Sequence, residues 1–125
     1  MVIEDNFQER FRLSAFHPSL FIYAWKRNTL DKLFEEVMQC NVAILGGEAW
    51  RVEGDEYFGI IPYKNGDKNV LSWKIEQKKG EDWYDFVERS VKETLEVIVT
   101  KNLEKHTNAT IKNKIYYHFK FAQEE

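Results

Sequence analysis

The stretch Val42-Ala43-Ile44-Leu45-Gly46-Gly47-Glu48-Ala49-Trp50-Arg51-Val52-Glu53 decides the fold. Its first four residues are apolar throughout, as in a short strand buried on both faces. Gly46-Gly47 offers the positive φ of a tight bend. Trp50 and Val52 then alternate with charged neighbours and predict a second strand. Glu53-Gly54-Asp55-Glu56 reads as a second turn, followed by a strand from Tyr57 to Ile61. Asn65-Gly66 is a hairpin signal, because both residues tolerate left-handed geometry. The return strand, Val70 to Gln77, sets Leu71, Trp73 and Ile75 on one face and Ser72, Lys74 and Glu76 on the other, the pattern of a half-buried antiparallel strand.

Helical periodicity flanks this region on both sides. Leu30, Leu33, Phe34, Val37 and Met38 form one stripe, with Asp31, Lys32, Glu35, Glu36 and Gln39 opposite. The spacing predicts a helix from Thr29 to Cys40, with Asn28 or Thr29 as N-cap and Asn41 in the left-handed conformation that ends it. After the Lys78-Lys79-Gly80 break, Trp83, Phe86, Val87, Val91, Leu95 and Ile98 predict a long helix beginning near Glu81 and ending between Thr100 and His106. Asp82 in its first turn suits the positive end of the helix dipole. Its outer face, Glu81, Asp85, Glu88, Lys92 and Glu96, is mostly acidic.

The ends of the chain carry weaker signals. Phe7 and Phe11 have i,i+4 spacing, as on one side of a short helix, and Leu20 to Trp25 reads as a buried strand, with a helical turn started by Pro18 as the alternative. Ile115, Tyr117, Phe119 and Phe121 alternate with Tyr116, His118 and Lys120, which predicts a last strand beside an edge of the meander. The expected fold is α+β: an antiparallel β meander of four to six strands with two main helices packed on one face.

With 125 residues, no repeat and no Gly/Ser-rich linker, the chain reads as a single domain over residues 1–125. Hydrophobic residues at 43% and charged residues at 31% exclude a disordered tail and a collagen. A net charge of −3 argues against a nucleic-acid partner, which calls for a strongly basic face. The longest apolar run is Leu20 to Trp25, too short for a membrane helix. The N-terminus carries acid where a signal peptide carries base, and Cys40 has no second cysteine to pair with, so a reducing, cytoplasmic setting is expected.

No catalytic constellation stands out. His17, His106 and His118 are far apart and match no metal-ligand spacing, so neither metal nor cofactor is expected. Cys40, at a helix end, reads as a small, partly buried residue rather than a nucleophile, and His118 as solvated. Gly46-Gly47-Glu48 lacks the third glycine and following helix of a dinucleotide fingerprint. The 15% of aromatic residues remains, with Trp73 and Trp83 on core faces and Trp25 or Trp50 available as a surface anchor.

Taken in order, three features resemble a known family. They are Val42-Ala43-Ile44-Leu45-Gly46-Gly47-Glu48 after a short amphipathic helix, a later strand holding Trp73, and Lys79-Gly80-Glu81-Asp82-Trp83-Tyr84-Asp85-Phe86-Val87-Glu88-Arg89-Ser90. Over about residues 28–98 this order is similar to immunity family forty of bacterial polymorphic-toxin systems, with Glu48 where the family pattern has Asp. The resemblance implies a binding protein rather than an enzyme, one that holds a cognate toxin domain in the cytoplasm and blocks it. The residues leave monomer or homodimer open, since an exposed C-terminal strand can pair with its twin. Its candidate contacts are Glu48, Trp50, Glu53, Asp55 and Glu56, with Asp85 and Glu88 on the long helix. Their acidity suits a basic toxin such as a nuclease. A small ligand-binding or regulatory domain is the alternative, and a catalytic reading requires Glu48 beside His17 or His118.

Overall fold

The computed structural model describes residues 2–60, 71–106 and 112–125. The expected Asn65-Gly66 hairpin lies outside them, as do Pro62 and Tyr63.

Residues 42–53 do not bend at the glycine pair. They form one long strand, β3 (Ala43–Glu53), on which the sheet is built. The other strands are β1 (Phe16–Ser19), β2 (Ile22–Trp25), β4 (Glu56–Gly59), β5 (Ser72–Lys74) and β6 (Ile115–Ala122), all antiparallel to their neighbours. The helices are α1 (Glu9–Ser14), α2 (Leu30–Gln39), α3 (Trp83–Lys101) and α4 (Leu103–His106). The α+β class holds, with a six-stranded sheet and two main helices, α2 and α3.

Gly46 is a bulge rather than a turn. The pairing of β3 with β6 runs from Ile44↔Phe121 to Gly46↔Lys120, so two residues of β3 oppose one of β6. The glycines are required here by close approach. A Cβ on Gly46, at φ +151, would lie 2.2 Å from the Trp73 carbonyl oxygen. One on Gly47 would lie 2.6 Å from the His118 carbonyl oxygen and 2.8 Å from the Trp73 ring. The expected turn at 53–56 does form: Glu53 pairs with Glu56, and Gly54 takes φ +62.

Strand order also departs from a simple meander. It runs β1-β2-β6-β3-β4, which places the C-terminal strand β6 inside the sheet rather than at its edge. β6 pairs with β3 along most of its length and with β2 at Ala24↔His118 and Trp25↔Tyr117. β4 and β5 lie end to end along the same edge of β3. The chain departs after Ile60 and is back at Leu71, whose N–H donates to the Ile60 carbonyl at 2.7 Å. Both flank Ala49, which donates to Leu71 and accepts from Ile60.

The inner face carries the core. Trp25, Phe119, Tyr117, Ile44 and Ala49 from the sheet pack with Leu33, Phe34 and Val37 of α2, and with Phe7 and Phe11 of the N-terminal segment. Each fully buried side chain of this size contributes about 1.5–3 kcal/mol. The Tyr117 hydroxyl donates to Glu104, and burial first, then the Glu104 charge, pushes its pKa up. Glu36, expected on the solvated side of α2, is buried, where its carboxylate accepts the backbone N–H and side-chain amide of Gln8. Thr29 is the N-cap of α2, but neither it nor Asn28 supplies a side-chain bond to the helix; Asn41 takes φ +56 just beyond the helix, as expected.

α3 covers the part of β3 that β5 does not reach. Asp82 is its N-cap rather than a first-turn residue and accepts from the Tyr84 and Asp85 N–H groups. Ser90 and Thr94, both fully buried, fasten the helix: Ser90 Oγ accepts the Ile44 N–H at 2.9 Å, and Thr94 Oγ1 accepts the Trp73 indole N–H at 3.2 Å. Ser90 thereby caps the edge of β3 at Ile44, and Thr94 ties α3 to β5. Arg89 donates to both carboxylate oxygens of Glu81, to Glu93 and to the Glu76 carbonyl, tying the start of α3 to the chain leaving β5. Glu81 is therefore half-buried in a clamp rather than part of the open acidic face.

At the other side of the sheet, only Ile22 to Trp25 of the expected 20–25 strand pairs. Leu20 and Phe21 form the turn from β1 and stay exposed. Pro18 sits in β1, an edge strand, where a missing N–H is tolerated.

Candidate functional site

Side chains alternate across a strand, and directly paired residues share a face. Gly47, Ala49 and their partners Phe119 and Tyr117 face the helices. Gly46, Glu48, Trp50 and Val52 therefore line the outer face with Lys120, His118, Tyr116 and Tyr57.

A rank of rings stands on this outer face. Trp50 is stacked between Tyr57, at 4.3 Å and 26°, and His118, at 4.5 Å and 9°. Phe16 of β1 reaches over to both Tyr57 and Tyr116, each at 5.9 Å. β1 and β4 are the two ends of the strand order, so the sheet curls until its edges meet. This explains why Trp50 is only 5% exposed although it points away from the helices. The expectation of a surface indole at Trp25 or Trp50 is corrected: Trp25 is wholly buried, and Trp50 is the centre of a small second core.

His118 is also corrected. It is half-buried, with Nδ1 2.9 Å from the Tyr23 carbonyl oxygen and its ring against Trp50. Glu48 sits directly across the strand pair from it, so the structure does bring these two together. Those contacts hold the His118 ring in place on the face of the sheet that also carries Glu48. Cys40 is exposed rather than partly buried.

Two clefts flank the ring cluster. The smaller, about 450 Å³, lies at the β3–β4 turn between Phe16, Asp55, Lys114 and Tyr116. The larger, about 900 Å³, runs from Glu48, Lys74 and Lys120 to Phe21 and the N-terminal residues Val2 to Glu4. Glu48 is half-buried and takes no hydrogen bond or ion pair among the described residues. Glu4 is 6% exposed, and burial raises its pKa. Beside it, the Tyr23 hydroxyl donates to Asp5 at 2.7 Å. That bond lowers the Asp5 pKa, while burial and then the same bond push Tyr23 up to about 12.

The remaining candidates lie elsewhere. Glu53 is half-buried and engaged by Lys114 at 2.8 Å and Arg51 at 3.8 Å. Asp55 and Glu56 are exposed at the β3–β4 turn. Asp85 and Glu88 are exposed on the first turns of α3, whose Trp83 indole donates to the Asn41 carbonyl just before β3 begins. These two acidic groups therefore sit near opposite ends of β3, separated by roughly 30 Å at about 3.3 Å per strand residue. They do not form one patch. Phe16, Phe21, Tyr57 and Glu4 were not singled out from the sequence. His118 and Lys120 carried a usable signal, since they alternate onto the same side of β6 as Tyr116.

The model of the family described as Immunity protein 40 matches residues 13–121. No curated protein and no solved structure matches the chain.

Proposed function

The chain belongs to the Immunity protein 40 family, and from that premise we propose that it binds a cognate bacterial toxin domain in the cytoplasm and neutralises it without catalysis. The observation that carries the reading is the extent of the family match, which takes in every strand of the sheet except the last residue of β6. The outer sheet face supports it. Its rings pack on one another, its flanking clefts lie at the surface, and polar groups surround them, as in the core and rim of a protein interface.

The proposed contacts are Glu48 on the outer face, Asp55 and Glu56 at the β3–β4 turn, and Asp85 and Glu88 on α3. Glu53 and Trp50 contribute from behind them, Glu53 by fixing Lys114 and Trp50 by holding Tyr57, which is 38% exposed. The acidic contacts favour a basic partner, so affinity falls as salt rises.

The reading is tested by searching the neighbouring genes for a toxin domain and co-expressing that domain with this protein. Rescue of growth together with a purified one-to-one complex is expected. Failure of both rescue and complex formation would remove it.

A further inference from the structure

The larger cleft holds an imbalance that the fold itself does not resolve. Five charged side chains line it: Glu4, Glu48 and Glu76 against Lys74 and Lys120. Lys74 and Glu76 pair with each other at 3.2 Å. Lys120 is exposed and makes no ion pair with Glu48 among the described residues. Among the described residues Glu48 is left half-buried and without a donor, and Glu4, more than nine-tenths buried, receives a hydrogen bond from its own backbone. Phe21 stands at the lip, 64% exposed.

Covering this cleft has a physical consequence. A partner surface that closes over Glu48 removes its remaining water, and a buried carboxylate without a donor is costly. The partner that fits must bring the missing donor. We infer that the cleft seats one cationic side chain, Arg or Lys, of the bound toxin domain, with Glu48 and Glu4 as its acceptors and Phe21 packing on its stem. The inference rests on the toxin-binding reading above and names the feature by which that partner is recognised. A flat guanidinium suits the site best, because it donates to two carboxylates at once and lies against an aromatic face.

The test is calorimetric titration of the toxin domain identified by the co-expression experiment above into wild-type protein and four variants, each first checked for an unchanged thermal melt. Glu48→Gln keeps the shape and removes the charge, and Kd is expected to rise about 30-fold or more, the range for losing one partner of a desolvated pair. Phe21→Ser is expected to weaken binding about tenfold, as for an apolar contact at an interface. Glu48→Asp keeps the carboxylate and is expected to stay within about fivefold. Glu35→Gln, on exposed α2 surface beside Lys32, is expected to change nothing. If wild type binds tightly and Glu48→Gln stays within about threefold of it, the cleft does not seat the cation, and the toxin-binding reading stands without it. If wild type forms no complex, both fall.

Discussion

Phe16 and Tyr57 belong to the two edge strands of the sheet, and their rings meet across its outer face with centroids 5.9 Å apart and planes at 70°. Among the described residues no strand pairing links β1 to β4, so this contact and the rings beneath it hold the sheet's curl. A double-mutant cycle of Phe16→Ala and Tyr57→Ala, read by urea denaturation, is expected to give a coupling of about 0.5–1.5 kcal/mol. Additive losses would mean that the two edges do not meet in solution.

Trp50 faces away from the helices yet is packed like a core residue. Trp50→Ala is expected to cost about 3–5 kcal/mol of stability, the range for deleting a large buried ring. The check is the denaturation midpoint, measured without any partner. A loss under about 1 kcal/mol would show that the stack with Tyr57 and His118 is not maintained.

The two glycines with positive φ in and after β3 separate conformation from crowding. Gly54→Ala meets no atom within 4 Å, so only its φ of +62 is penalised, at about 1–2 kcal/mol. Gly46→Ala adds a collision with the Trp73 carbonyl oxygen and is expected to cost about 3 kcal/mol or more, since overpacking brings its own penalty. Thermal unfolding of the two variants ranks them. Equal losses would rule out the close approach of β5 to the bulge.

The clamp at the start of α3 makes a prediction about acid. Hydrogen bonds from Arg89, with help from the Lys78 N–H, hold the Glu81 pKa down to about 2 from an ordinary value of 4.5. A carboxylate lowered on folding stabilises the fold fully above its unfolded pKa, and that contribution is lost as pH falls through the folded one. Wild type is therefore expected to lose stability between about pH 4.5 and pH 2 faster than Glu81→Gln. Urea midpoints across that window decide it, and parallel curves would show that the clamp is not formed.

Much of the fold was legible in the residues. The stripes of α2 and α3, the left-handed Asn41, the turn at Gly54, and the alternation of Leu71, Trp73 and Ile75 follow from local periodicity and local φ preferences. Part of the site was legible too, since Glu48 was marked by its place after the glycine pair and Tyr116, His118 and Lys120 by their shared side of β6. The role of Ser90 and Thr94 was not. They continue the buried face of α3 at helical spacing, but polar residues on an apolar stripe gain meaning only once Ile44 and Trp73 supply their partners.

Sequence alone determined the two main helices and the alternating strands around Trp73 and Tyr117, because the 3.6- and 2-residue periods are properties of neighbours along the chain. Tertiary structure alone decided what those strands do with one another. A glycine pair serves equally as a turn or as a bulge, and the choice at Gly46 depends on Trp73 and His118, far along the chain, arriving close enough to exclude a side chain. Backbone hydrogen bonds are the same for any two strands, so nothing local placed β6 between β2 and β3. That placement sets Glu48 opposite His118, and the curl it permits carries Phe16 over Trp50 to Tyr57.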